Sequence, residues 1–157
     1  MALSKVLQLK VNYKTMDDFK KFREYGLAEL AMLEDLEANL IEDEMNSPFF
    51  GIYDDDMLVG RMSLYRVDRK YDQFFSPPQD YYELFKLEVL PEYRNQKIGT
   101  ALVKYAKSLG HPIKTNARNR SDDFWLKMEF VPVKYDMIRD RGENPYIWHP
   151  DGVGVQW

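Results

Sequence analysis

The amino-acid sequence predicts a mixed α/β fold, a mixed sheet with helices on its faces. Three observations lead there. Apolar residues alternate over some segments and recur every three or four residues in others, the periods of strands and helices. Glycines and prolines stand between those segments and punctuate them. A strand, a loop, a helix and a strand follow one another from Tyr81 to Asn116, which is the sequence form of a right-handed βαβ crossover. The full order reads β-α-α-β-β-β-α-β-α-β.

Lys5–Val11 alternates through Val6, Leu7, Leu9 and Val11 and reads as a strand. Thr15 reads as a helix cap with Asp18 three residues on, in the manner of a capping box. Phe19, Phe22 and Gly26 share a face, and Gly26 bends or breaks the helix. Leu30, Leu33, Leu36 and Leu40 continue as an amphipathic helix that ends at Asn46-Ser47-Pro48. Phe49–Tyr53 and Met57–Val67 form a hairpin around the turn Asp54-Asp55-Asp56. Tyr81–Leu90 reads as a central strand stopped by Pro91, Arg94–Gly99 as a polar loop, and Thr100–Leu109 as a helix closed by Gly110. Ile113–Asn116 is a short strand, Ser121 caps a helix to Met128, and Val131–Met137 is another strand. Arg139–Trp157, with Gly142, Pro145, Pro150, Gly152 and Gly154, reads as irregular. The 157 residues are the length of one domain, expected over 1–157 with an irregular tail from about 139.

Composition narrows the function. Hydrophobic residues are 45% and charged residues 31%, enough for a core and a solvated surface. No apolar run approaches the ~18 residues of a membrane span. The start, MALSKVLQLKVNYK, lacks a signal-peptide pattern, and with no cysteine a cytoplasmic setting is expected. Two histidines and no cysteine make a metal site an unpromising reading. The net charge of −4 disfavours nucleic acid as a partner. It also hides an asymmetry: ten acids and no base from Glu29 to Asp56, and seven bases and no acid from Arg94 to Arg120. The basic segment suggests a small phosphorylated ligand.

Leu87–Val103, LEVLPEYRNQKIGTALV, carries the chemistry. A strand ends, a polar loop follows, and a helix opens at Gly99-Thr100. Loop amides converging with the positive end of a helix dipole bind phosphate. Arg94 and Lys97 add charge, and Gly99 lets a ligand approach the backbone. The alternative is an ordinary strand-to-helix turn with two solvated bases.

This stretch resembles the acyl-CoA motif of the GNAT N-acetyltransferases, whose loop reads Gln/Arg-x-x-Gly-x-Gly/Ala. Arg94 and Gly99 match its ends, and Lys97 replaces its middle glycine. FWLKMEF, Phe124–Phe130, resembles the family's later signature FYEKLGF, with Trp125 for Tyr and Glu129 for Gly. The whole chain, including RDRGENPYIWHP at Arg139–Pro150, resembles the YlbP-like bacterial branch. The resemblance implies the GNAT fold: a central mixed, mostly antiparallel sheet flanked by helices on both faces. It implies acetyl-CoA as co-substrate, no metal, and a direct attack by an amine on the thioester. The loop amides of Asn95, Gln96, Lys97, Ile98, Gly99 and Thr100 would hold the pyrophosphate. The backbone of Leu87 and Val89 would meet the pantetheine arm and thioester, and Asn116, Ser121 and Phe124 would lie near the thiol.

Glu83, four residues before Leu87 and so on the same strand face, is the candidate general base, because the histone-acetyltransferase branch carries its base glutamate at this offset. The alternative for Glu83 is a pair with a Lys or Arg on an adjacent strand. Glu88 has the opposite parity and suits a structural pair. Trp125 cannot protonate the leaving thiolate, so water or Tyr135 would do so, or the thiolate leaves unassisted. Glu129 means either that φ > 0 is not required there or that strain is accepted. A non-catalytic acyl-CoA-binding regulatory module is the competing function.

The acceptor would be a small-molecule amine or a protein amino group. The acid-rich stretch would favour a cationic one, or else is a solvated face. The protein would act as a monomer or homodimer. Met32, Met57, Met62, Met128 and Met137 read as core filling. Tyr71, Phe74 and Phe75 either line an acceptor cleft or anchor a loop.

Overall fold

The computed structural model describes residues 2–22, 32, 33, 35, 36, 47–118 and 120–157. Its strands are β1 (Leu7–Gln8), β2 (Phe49–Asp54), β3 (Met57–Val67), β4 (Phe75–Ser76), β5 (Tyr81–Val89), β6 (Ile113–Asn116), β7 (Val131–Pro132), β8 (Pro145–Trp148) and β9 (Gly154–Val155). Its helices are α1 (Tyr13–Lys20), α2 (Ile98–Ser108), α3 (Asp122–Lys127) and α4 (Met137–Asp140). Seven strands form a sheet in the order β1-β2-β3-β5-β6-β8-β7, and β4 pairs with β9. β5 and β6 run parallel, as the crossover reading requires, while the pairs β1–β2, β2–β3, β6–β8 and β7–β8 are antiparallel. The chain falls into two compact units, Met1–Leu64 with Lys86–Tyr105 and Tyr65–Phe85 with Ala106–Trp157.

In the first unit, Leu9, Val11, Phe19, Phe22, Met32, Leu36, Phe49 and Leu58 form the core. The strand expected over Lys5–Val11 is only Leu7–Gln8: Leu9 still bonds Phe49 (2.8 Å), but the chain then bends into the α1 cap. That cap is Asn12, not Thr15. The Asn12 side chain accepts from Thr15 N at 3.0 Å, and Thr15 is buried in the first turn. Asp18 does not reach back to the cap; it takes Lys14 Nζ and Tyr53 OH, both at 2.9 Å. The break at Gly26, the stop at Asn46 and most of the helix expected around Leu30–Leu40 lie outside the described residues.

The β2–β3 hairpin turns through Asp55 and Asp56, with Asp55 at φ +51°. Gly60 on β3 faces α2 closely: a Cβ there would sit 2.5 Å from Ile98 Cγ2. Arg61 is wholly buried and paired with Glu88 at 2.8 Å, its guanidinium over the rings of Phe19 and Phe22. The pair expected of Glu88 is therefore this one.

In the second unit, β6 pairs with β8 from Ile113↔Trp148 to Asn116↔Pro145, and β7 pairs with β8. The stretch expected to be irregular from about Arg139 thus supplies an inner strand. Pro145 is tolerated because it is the first residue of the strand, where its missing N–H costs no ladder bond. The strand expected over Val131–Met137 stops at Pro132. Asp136 instead caps α4, accepting from Ile138 N (3.0 Å) and Arg139 N (2.9 Å), and leaves Met137 80% exposed rather than in the core. Met32, Met62 and Met128 are buried, whereas Met57 at the hairpin turn is exposed. Phe74, Phe75, Tyr81 and Ile147 form this unit's core, so Phe74 and Phe75 anchor their segment while Tyr71 is exposed.

α3 ends in a Schellman motif. Phe130 N bonds Trp125 O (2.9 Å), Glu129 N bonds Leu126 O (3.0 Å), and the Trp125 and Phe130 rings meet at 5.0 Å. The residue between, Glu129, has φ +67°. A left-handed residue is required where the family signature has Gly, and the strain is accepted.

Candidate functional site

The first unit holds the loop. β5 ends at Val89, Leu90 N still bonds Val59 O (2.9 Å), and Pro91–Tyr93 makes a single 3₁₀ turn. Tyr93 OH donates to Asp54 at 2.5 Å and fastens that turn to the β2–β3 hairpin. The bond lowers the Asp54 carboxyl below its usual range and raises the Tyr93 phenol. Asn95 (φ +66°) and Lys97 (φ +62°) are both left-handed, and the family's middle glycine is the one Lys97 replaces. Such turns are the backbone form in which successive N–H groups converge into an anion-binding concavity.

α2 opens at Ile98, two residues earlier than the spacing suggests, because Lys97 O already accepts from Ala101 N at 2.9 Å. The amides of Ile98, Gly99 and Thr100 precede that bond and sit at the positive end of the helix dipole. Gly99 lies in α2 and has no positive φ, so no left-handed conformation requires a glycine there. Ile98 is buried, and the loop's Lys97 is exposed. Gln96 holds a buried Oε1 without a hydrogen-bond partner among the described residues. Leu87 and Val89 are half-buried on β5 in the same unit. Desolvation lowers the Arg94 guanidinium from its ordinary value.

The second unit holds Glu83, Asn116, Ser121 and Phe124. Glu83 faces Lys114 across the β5–β6 register, Nζ to Oε1 3.1 Å. The adjacent-strand pairing weighed for Glu83 is therefore present. Lys114 Nζ also lies 3.7 Å from Glu143, whose carboxylate accepts from Asn116 Nδ2. Asn116 Oδ1 is buried and has no hydrogen-bond partner among the described residues.

Ser121 stands at the α3 N-cap position but caps nothing with its side chain. Its Oγ accepts from Arg118 N (3.1 Å) and Trp125 Nε1 (3.2 Å). Trp125, 4% exposed, packs its ring on Phe124 and Phe130. The position that holds the acid Tyr in many family members is thus a structural residue here. Asp122 in the first turn of α3 accepts from Asn144 Nδ2 (3.0 Å) and Tyr146 OH (2.8 Å), which tie α3 to β8 and depress the Asp122 carboxyl. Tyr135 OH is taken up by Gly142 N at 2.8 Å.

Two of the seven bases are committed within the second unit. Lys114 is held by carboxylates, and Lys107 donates to Met128 O beside the Phe130 and Trp148 rings. Reading the segment for charge missed Lys114 and Glu143 as partners of Glu83. Strand alternation puts Lys114 and Asn116 on one face of β6 and could have raised them; Glu143, in a stretch read as irregular, carried no signal.

The profile of the acetyltransferase (GNAT) family matches residues 12–128, and the chain belongs to that family. An N-acetyltransferase of Brevibacillus brevis is 65% identical over 151 residues, covering 96% of this chain and 97% of its own. The crystal structure of the Bacillus subtilis N-acetyltransferase YlbP in complex with coenzyme A is 58% identical, covers 94% of this chain and 97% of its own, and superposes with a TM-score of 0.78. The paia N-acetyltransferase of Thermoplasma acidophilum, also in complex with coenzyme A, shares the fold at 16% identity and a TM-score of 0.60. The chain is an N-acetyltransferase of the YlbP-like branch. Among the described residues no helix is long and apolar enough to cross a membrane.

Proposed function

We propose that the protein transfers the acetyl group of acetyl-CoA to a primary amine by direct attack in a ternary complex. The observation that carries this is the turn after β5, where left-handed Asn95 and Lys97 lead into the bare amides of Ile98, Gly99 and Thr100 at the start of α2. Those amides, with Arg94 and Lys97 alongside, suit a pyrophosphate. The Oδ1 of Asn116, without a partner among the described residues, suits an amide N–H of the pantetheine arm. Backbone groups of Leu87 and Val89 would meet that arm and the thioester, and Ser121 and Phe124 would flank the thiol end. When bound, acetyl-CoA supplies an activated acyl carbon and a thiolate that leaves. The acceptor ammonium must first lose a proton, and Glu83 is the group we assign to take it. With the Trp125 N–H committed to Ser121, the departing thiolate has no side-chain acid at that position. A thiol of pKa near ~8.5 leaves tolerably without one.

The acceptor we assign is a cationic amine. Most of the acidic stretch behind that assignment lies outside the described residues, and within them Asp35 is paired with Lys86 (3.0 Å) and Asp54 with Tyr93.

Calorimetry with CoA tests the donor site. Gly99→Val should nearly abolish binding, because a branched side chain blocks the approach to the amides; normal affinity would overturn the site. Free-thiol release from acetyl-CoA with spermidine, a lysine peptide, kanamycin and glycine tests turnover. Release with the cationic amines, declining as salt rises, is expected. Release with none of them refutes the enzymatic reading.

A further inference from the structure

Lys114 is out of place for a surface lysine. It sits on the inner strand β6 with its side chain 10% exposed, and it meets two carboxylates: Glu83 Oε1 at 3.1 Å and Glu143 Oε2 at 3.7 Å. Its ammonium lies 5.9 Å from the Phe74 ring centroid. Asp140 of α4 also acts on it through space, but that carboxylate is itself engaged by Arg139 at 2.7 Å. The charged groups facing Lys114 are thus Glu83 from β5, Glu143 from the turn before β8, and the Arg139–Asp140 pair from α4.

A buried ammonium is costly unless carboxylates and hydrogen bonds hold it, and here both are present. Glu143 does double service: it tethers Lys114 and accepts from Asn116 Nδ2. One chain of polar contacts therefore runs Glu83–Lys114–Glu143–Asn116, all within one unit. Lys114 engages only one oxygen of Glu83; Oε2 makes no hydrogen bond among the described residues. A carboxylate gripped by one oxygen has a fixed rotamer and a free second oxygen. That is the form in which a base is useful.

We infer that Lys114, locked by Glu143, is the positioning residue of the reaction: it fixes Glu83 by Oε1 and leaves Oε2 to take the proton of the acceptor ammonium. The inference rests on the assignment of Glu83 as base. It differs from a purely structural ion pair in what it predicts for kinetics. Removing the ammonium costs the base its orientation.

The test uses the full chain with acetyl-CoA and the best amine of the four named above. Lys114→Met should lower kcat at least ~10-fold at neutral pH, the low end of a general-base contribution. CoA affinity, measured calorimetrically, should stay within about two-fold, because Lys114 contacts neither phosphate nor amide. Lys114→Arg, which keeps a cation able to grip Glu83 Oε1, should restore at least half of kcat. Glu143→Gln, which loosens the lysine without removing it, should cost roughly three-fold. Lys114→Gln serves should the Met variant not fold. A wild-type kcat in Lys114→Met overturns the inference, as does a Lys114→Arg variant no faster than Lys114→Met; if Glu83→Gln is then still slow, the base assignment stands alone. A wild-type rate in Glu83→Gln overturns the base assignment itself, as does turnover with none of the amines.

Discussion

Glu129 offers the cleanest test of how this backbone stores strain. It is exposed, and its φ of +67° is forced by the Schellman closure of α3, through Glu129 N to Leu126 O and Phe130 N to Trp125 O. The left-handed conformation costs a residue with a Cβ roughly 1–2 kcal/mol. Glycine avoids that cost but loses about 0.5–1 kcal/mol through the greater freedom of its unfolded chain. Glu129→Gly should therefore stabilise by about 0.5 kcal/mol, near the lower edge of the balance. For a domain of this size that is a rise in Tm of roughly 1–2 °C. Glu129→Ala keeps the Cβ and removes only the charge, so it should fall within about 0.5 kcal/mol of wild type. Glu129→Val adds β-branching in the same conformation and should be the least stable of the series. Urea melts of the four proteins, read for midpoint at constant slope, give the order Gly, then wild type with Ala, then Val. A Gly variant less stable than the Ala variant would show that the left-handed closure is not the native state of this turn.

Three further outcomes follow from the same geometry. Lys97→Gly relieves the same kind of strain at φ +62° and should retain CoA affinity within about ten-fold, since an exposed lysine contributes only ~1 kcal/mol; a larger loss in calorimetry would put the ammonium directly on phosphate in a dry site. Gly60→Val should destabilise by roughly 1–3 kcal/mol, because a Cβ 2.5 Å from the stiff Ile98 Cγ2 must push back the first turn of α2; an unchanged urea midpoint would refute that contact. Asp140, whose carboxyl is held below its ordinary value by the Arg139 guanidinium, contributes stability that is full above its unfolded value of about 3.9 and is lost as pH falls through the lower folded value. Acid unfolding should thus steepen below about pH 4, and Asp140→Asn should flatten that dependence; a variant with the wild-type acid limb would refute it.

The parts of the fold that local chemistry dictates were legible in the sequence. The Asp-rich hairpin, the strand stopped by Pro91, the helix stopped by Gly110 and the parallel crossover all rest on residues whose own φ/ψ or side-chain period decides the outcome. Gly110 does take φ +82°. The failures came where a partner decides instead. Val131–Met137 has a strand's composition, but Asp136 finds two amides to cap and ends it early. PYIW has too few residues to announce itself among glycines and prolines, and it becomes an inner strand only because β6 and β7 lie on either side of it.

The same division runs through the site. The course of the loop was readable because it is built from consecutive residues: the polar run from Arg94 lies between Pro91 and the start of a helix. The setting of Glu83 was not, because it is made by residues 31 and 60 positions further along the chain, Lys114 and Glu143. Parity on β5 could say which face Glu83 occupies, but the ion pair that orients it depends on strand register, with Glu83 opposite Lys114. A one-residue slip of β6 would place Ile113 or Thr115 there instead and leave the carboxylate with no ammonium. Register is fixed in turn by Ile113, which is fully buried on the other face and would give up its place there to Lys114 in a one-residue slip. The orientation of the proposed base is thus a consequence of core packing on the opposite side of the sheet. Substitutions at Ile113 that disturb that packing should therefore affect turnover through Glu83 before they affect CoA binding.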